Sequence, residues 1–123
     1  MSVVEQYARV QVLTDADIPE EGDGRCVPAV LRYDPADDPR SVRIGLPGPR
    51  WFRFARELLE RGLRAPAGTG EVRVWPCGRV RAVVEFHPER GGCSVVQFDT
   101  DDLLRFLRRT YAANPALAQP VPR

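Results

Sequence analysis

The sequence predicts an α+β domain in which two antiparallel β-meanders are each followed by a helix. Three observations lead there. Apolar residues recur at period two through a series of short stretches, the period switches to helical spacing after Phe54 and again after Phe98, and Gly- and Pro-rich breaks separate the pieces. Strand blocks joined by tight turns, each closed by one helix, fit antiparallel sheet rather than βαβ crossovers.

The first strand runs from Val3 to Leu13, rich in Val and Tyr with partial alternation, and gives way to a loop over Thr14 to Arg25, where Asp, Glu, Gly and Pro collect. Val27, Ala29, Leu31 and Tyr33 fall on one face of a second strand, which Asp34-Pro35 ends. Val42, Ile44 and Leu46 repeat the pattern before Pro47-Gly48-Pro49. A short fourth strand over Arg50 to Phe54 sets Phe52 and Phe54 on one face, Trp51 and Arg53 on the other. From Ala55, the residues Ala55, Leu58, Leu59 and Leu63 adopt helical spacing, and Arg56/Glu60, Glu57/Arg61 and Glu60/Arg64 pair on the wet face. This predicts a helix of about three turns, loosened by Gly62 and ended by Pro66, Gly68 and Gly70. Glu71 to Trp75, Arg79 to His87 and Gly92 to Phe98 read as strands joined by hairpins. In the middle one, Val80, Ala82, Val84 and Phe86 share one face, and Arg79, Arg81, Val83, Glu85 and His87 the other. The last helix opens near Asp99-Thr100, with Asp101 and Asp102 at its positive end and Arg105, Arg108 and Arg109 toward its negative end. Leu103, Leu104, Leu107 and Tyr111 form its packing stripe, and Asn114-Pro115 stops it. One domain over 1–115 and an Ala/Pro-rich flexible tail over 116–123 follow.

Composition narrows the function classes. With 123 residues, 43% hydrophobic and 28% charged, the chain can bury one core. A net charge of +1 provides no global field to draw nucleic acid or acidic membrane, so any basic patch is local. No stretch approaches the roughly 20 apolar residues of a membrane span, and Glu5 and Arg9 interrupt the N-terminal segment, so neither export nor membrane insertion is expected. Cys26, Cys77 and Cys93 are dispersed and contain no C-x-x-C, which writes neither a disulfide framework nor a zinc site and fits a reducing cytoplasm. Every basic residue is Arg, as a GC-rich coding bias would produce.

Catalytic chemistry is not assembled in the sequence. The lone His87 sits at a strand end before Pro88 and reads as an ordinary polar strand residue. Gly92-Cys93-Ser94-Val95-Val96 lacks the closing glycine of a nucleophile elbow and leads into a strand. Gly68-Thr69-Gly70 follows a helix and opens a strand, the reverse of a phosphate cradle. Asp34, Asp37 and Asp38 read as a solvated turn, without the spacing of a calcium loop. No enzyme activity, cofactor or metal is expected.

Two surface features remain. Arg73 and Trp75 alternate onto one strand face with Arg79 and Arg81 from the next strand, an Arg/Trp surface of the kind that stacks single-stranded nucleic acid, although Arg73 can instead pair with Glu85. Trp51-Phe52-Arg53-Phe54 is too bulky for one small core, so one of its faces is expected to meet a partner.

Several motifs resemble those of the SsgA-like proteins, sporulation and cell-division regulators of filamentous actinomycetes. They are Val27-Pro28-Ala29-Val30-Leu31-Arg32-Tyr33-Asp34, Phe54-Ala55-Arg56-Glu57-Leu58-Leu59 with Gly62-Leu63, Gly68-Thr69-Gly70-Glu71-Val72-Arg73-Val74-Trp75-Pro76, and Phe106-Leu107-Arg108-Arg109-Thr110. The resemblance spans about Tyr7 to Pro115. It implies a whirly-like fold, a homotrimer, and a non-enzymatic cytoplasmic protein at the division septum. The partners it implies are another SsgA-like protein, a membrane-associated recruiter or the tubulin-like GTPase FtsZ. Arg32, Tyr33, Asp34, Arg56 and Trp75 carry over as fold and interface determinants. Together with the bulky run, this makes the candidate interface Trp51, Phe52, Arg53, Arg32 and Tyr33. The alternative is a single-stranded nucleic-acid-binding module using Arg73, Trp75, Arg79 and Arg81. The short loop between Leu46 and Trp51, the pattern of Arg79 to His87 and the end soon after Asn114 depart from the family, and leave a specialised role in septum maturation or spore morphology open beside septation itself.

Overall fold

The structure, a computed structural model, describes residues 2–15, 25–48, 50–68, 70–89 and 92–114. Most of the expected loop over Thr14 to Arg25 and the expected tail over 116–123 lie outside these residues. The element order is β1 (Val4–Asp15), β2 (Arg25–Tyr33), β3 (Ser41–Leu46), β4 (Arg50–Ala55), α1 (Arg56–Gly62), β5 (Val72–Cys77), β6 (Arg81–Phe86), β7 (Ser94–Asp99) and α2 (Thr100–Ala113). The two meanders are not separate sheets. β1 pairs antiparallel with β7, joining all the strands into one seven-stranded sheet of order β4-β3-β2-β1-β7-β6-β5. A register shift between Val12 and Thr14 bends β1 where the meanders meet, as a bulge does. The sheet curls until its first meander touches its second: Phe52 of β4 stacks on Phe86 of β6 with ring centroids 4.0 Å apart, and Arg50 Nη1 lies 3.1 Å from Ser94 Oγ.

The core fills the inside of this curl. Alternation in each strand turns Val10, Leu31, Tyr33, Ile44, Val74, Val84, Phe86 and Phe98 inward, where they are fully buried. α2 lays Leu103, Phe106, Leu107 and Thr110 against the sheet. Leu104, expected in this stripe, is instead 37% exposed, and Phe106 takes the inner position, because positions 103, 106, 107 and 110 share the face that meets β1 and β7. Gln6, buried in β1, ties the layers by donating from Nε2 to the Asp102 carbonyl at 2.8 Å, and Arg109 Nη1 donates to the Glu5 carbonyl at 3.2 Å.

α1 departs most from the expectation. It spans seven residues, about two turns rather than three. Ala55 is exposed at its N-cap, and Arg56 is buried at 6% exposure rather than on the wet face. The Arg56 guanidinium lies 4.5 Å from the Tyr111 ring centroid and 5.4 Å from that of Tyr33, and Nη1 lies 3.3 Å from Thr110 Oγ1. It is a cation–π bridge between the two helices and β2. Gly62 sits so close to β5 that a Cβ there would meet Val74 Cβ at 2.3 Å. Val80, expected on the inner face of β6, lies in the turn before that strand and is 65% exposed.

Candidate functional site on the outward sheet face

The core occupies the inner face, so the other face of the curled sheet points outward, and the strand register decides what it presents. Tyr7, Val30, Gly45 and Trp51 are successive partners across β1, β2, β3 and β4. They form an apolar row with Tyr7 70% and Trp51 50% exposed. Gly45 makes the row flat. A Cβ at this position would approach the six-membered ring of Trp51 to 2.9 Å, so the indole lies directly on the glycine.

The adjoining row is Glu5, Arg32, Arg43 and Arg53. Arg32, Arg43 and Arg53 line a shallow depression with Trp51, and each has a carboxylate beside it. Arg32 Nη1 meets Glu5 Oε2 at 2.8 Å, Arg43 Nη2 meets Asp37 Oδ2 at 2.7 Å, and Arg53 Nη1 lies 3.8 Å from Asp38 Oδ2. The Asp38 carboxyl is held below its usual range by hydrogen bonds from the Ser41 side chain and the Arg40 backbone, helped by the nearby Arg53 and Arg43.

The second meander supplies the Arg/Trp surface on the same side of the sheet. Register places Arg73 opposite Glu85, Trp75 opposite Val83 and Cys77 opposite Arg81, so Arg73, Trp75 and Arg81 share the outward face. Arg79 belongs to the turn. Trp75 is half-buried, and Val83, although outward, is only 2% exposed. Arg73 Nη1 lies 3.9 Å from Glu85 Oε1, and Arg81 Nε 3.2 Å from Asp99 Oδ1.

The structure therefore brings Trp51, Arg53 and Arg32 together but not Tyr33 or Phe52. Tyr33 is fully buried, its hydroxyl donating to the Pro39 carbonyl at 2.9 Å, and Phe52 is turned inward against Phe86. Strand parity explains both, since Tyr33 follows Leu31 and Phe52 precedes Phe54 on the inner face. Tyr7 is the exposed aromatic that sequence reasoning missed. Its signal was an aromatic between Glu5 and Arg9, in the polar phase of β1.

The family model described as "Streptomyces sporulation and cell division protein, SsgA" matches residues 27–118. The chain belongs to the SsgA family. Among its relatives, the sporulation-specific cell division protein SsgB of Frankia casuarinae is 40% identical over 98 residues, covering 72% of this chain and 66% of that protein. The SsgB of Kineococcus radiotolerans is 42% identical over 103 residues, covering 76% and 61%. The chain thus spans less than two thirds of the length of these curated relatives. A solved structure from work on SsgB mutations that correlate to longitudinal cell division during sporulation of Streptomyces coelicolor is 33% identical, superposes with a TM-score of 0.78, and covers 93% of this chain and 88% of that one. The curled antiparallel sheet with two helices is thus shared within the family.

Proposed function

We propose that this chain is a non-enzymatic regulator or scaffold of sporulation-specific cell division, which helps position or assemble septum machinery through protein–protein contacts. The observation that carries this reading is the outward row of Tyr7 and Trp51 across the first meander, flanked by guanidiniums that already have carboxylate partners. An exposed aromatic pair with a polar, charge-balanced border has the make-up of a protein interface. Membership of the family, and the sporulation-specific cell division proteins among its relatives, support the division role. In this reading residues 1–115 form one domain with 116–123 as a tail. The chain self-associates as a homotrimer through the outward face and acts in the cytoplasm at the septum. Its partner there is another SsgA-like protein, a membrane-associated recruiter or FtsZ. Among the described residues no helix is long and apolar enough to cross a membrane.

The fold in this reading is whirly-like, and the alternative reading is a single-stranded nucleic-acid-binding module built on Arg73, Trp75, Arg79 and Arg81. Half-exposed Trp75 beside two outward arginines favours it, and the ion pairs Arg73–Glu85 and Arg81–Asp99 count against it, because phosphates would have to displace both carboxylates. A fluorescent fusion in sporulating hyphae of the native host separates the two. Regularly spaced septal bands that fade when Trp51 is replaced by alanine support the division reading. Signal that follows the nucleoid, with Trp fluorescence quenched by a single-stranded oligonucleotide in a salt-sensitive way, overturns it.

A further inference from the structure

The hairpin between β6 and β7 holds a cluster that neither the division role nor the aromatic row uses. Strand alternation puts Glu85 and His87 on one outward face, two residues apart, and the His87 backbone N–H donates to the Glu71 carbonyl at 2.6 Å, fixing the strand end. The β6–β7 register, Glu85 with Val95 and Phe86 with Ser94, brings Cys93 across to His87 on the returning strand. Three donor atoms converge there. Glu85 Oε2 lies 2.8 Å from His87 Nε2, and Cys93 Sγ lies 3.7 Å from His87 Nε2 and 3.8 Å from Glu85 Oε2.

The geometry rejects a cysteine–histidine–carboxylate triad. In a triad the nucleophile and the orienting carboxylate bind opposite ring nitrogens, whereas here both approach Nε2. Burial, reinforced by the Glu85 carboxylate, also pushes the Cys93 thiol above its usual range, the opposite of an activated nucleophile.

Convergence on one point is instead what a metal ion requires. With metal–ligand bonds of about 2.0–2.3 Å, the donors of a tetrahedral site stand roughly 3.3–3.6 Å apart. The two separations to sulfur, 3.7 and 3.8 Å, are close to that, and the 2.8 Å Glu85–His87 separation, now a hydrogen-bond length, has to open by about 0.5 Å to admit the ion. The other Glu85 oxygen, Oε1, faces Arg73 Nη1 at 3.9 Å, which gives the carboxylate an outer partner and keeps Oε2 on the side of His87 and Cys93, where an ion would replace its contact with the imidazole. We propose that Glu85, His87 and Cys93 form a binding site for one divalent transition-metal ion of the Zn2+ class. The thiolate and imidazole select a borderline-soft ion over Mg2+ or Ca2+, and three protein donors leave the fourth position to water. Binding expels the thiol proton to solvent and moves the imidazole proton to Nδ1. The ion then fastens the start of β7 to the end of β6, beside the Arg/Trp surface. The dispersed cysteines hid this site from a reading based on spacing, because its ligands come from a carboxylate, a histidine and a thiol across a hairpin.

The test is Zn2+ titration of the full-length, fully reduced chain by calorimetry, with Co2+ absorption as a second readout. The proposal expects one equivalent bound at roughly micromolar affinity or tighter, and a near-ultraviolet thiolate-to-cobalt band. Cys93→Ser and His87→Gln each weaken binding by at least about 100-fold, beyond the usual cost of losing an outer partner, and Cys93→Ser abolishes the cobalt band. Glu85→Gln, the mildest change of shape, weakens binding with the circular dichroism of the fold intact. Cys26→Ser and Cys77→Ser, which alter exposed thiols, leave it unchanged. No stoichiometric binding by the wild type, or binding that survives Cys93→Ser and His87→Gln, or that follows Cys26 or Cys77, overturns it.

Discussion

Replacing Gly62 with alanine sets two effects against each other, and the structure decides the sign. In a solvent-facing helix the change stabilises by about 0.5–1 kcal/mol, since alanine loses less conformational freedom than glycine. Gly62 is buried at the end of α1, and its added Cβ would stand 2.3 Å from Val74 Cβ, 2.4 Å from Val74 Cγ1 and 3.0 Å from the Val74 carbonyl oxygen. A Cβ has no rotamer with which to escape, and Val74 is itself fully buried in the core. Relief therefore requires α1 to move away from β5, an overpacking cost of about 1–3 kcal/mol. The net expectation is a loss of about 1–2 kcal/mol, a Tm lower by roughly 4–8 °C for a chain of this size. Urea unfolding followed by Trp fluorescence, with calorimetry for Tm, measures it. A Gly62→Ala chain as stable as the wild type, or more stable, refutes the close packing of α1 on β5.

Three further outcomes follow from named contacts. Arg56→Ala removes the cation–π bridge to Tyr111 and Tyr33 and the contact with Thr110, and costs about 2–4 kcal/mol in urea unfolding; Arg56→Lys recovers less than half, because an ammonium cannot lie flat over both rings while reaching the hydroxyl. Burial pushes the Glu60 carboxyl above its usual 4.5, against the pull of Arg56 and Arg64, so folding disfavours the ionised form relative to the unfolded chain. Glu60→Gln accordingly raises Tm slightly at neutral pH, and thermal scans show the gain vanishing as pH falls below the usual glutamate value, where folded and unfolded chains are both protonated. Gly45→Ala lifts the Trp51 indole off the sheet, which red-shifts Trp emission with little change in urea midpoint.

Strand parity made most of the fold legible. The inward residues of β2, β3 and β4 follow from period two alone, and Tyr33 and Phe52 show that parity outweighs bulk: both are large enough to suggest an interface, and both fall in the inner phase. The burial of Arg56 was not legible in the local pattern, although the family resemblance singles the residue out. A charged residue opening an amphipathic helix reads as solvent-facing, and its burial depends on Tyr111 and Thr110 of α2, which no local pattern connects to it. The joining of β1 to β7 is equally non-local, exemplified by Gln97 Nε2 donating to Gln11 Oε1 at 3.3 Å from 86 positions away. Of the outward face, Trp51, Arg53, Arg73 and Trp75 could be read from alternation. The row that unites Tyr7 with Trp51 required the register across four strands.

Whether the outward row assembles the protein is decided by solution mass from light scattering for the wild type, Tyr7→Ala, Trp51→Ala and Trp75→Ala, each with and without a single-stranded oligonucleotide. A scaffold assembled through the outward row gives a salt-resistant wild-type species of three chains that ignores the oligonucleotide, and dissociates when Tyr7 or Trp51 is lost but not Trp75. A single chain that gains the oligonucleotide's mass, and loses it with Trp75→Ala, overturns the scaffold reading and assigns the outward face to nucleic acid.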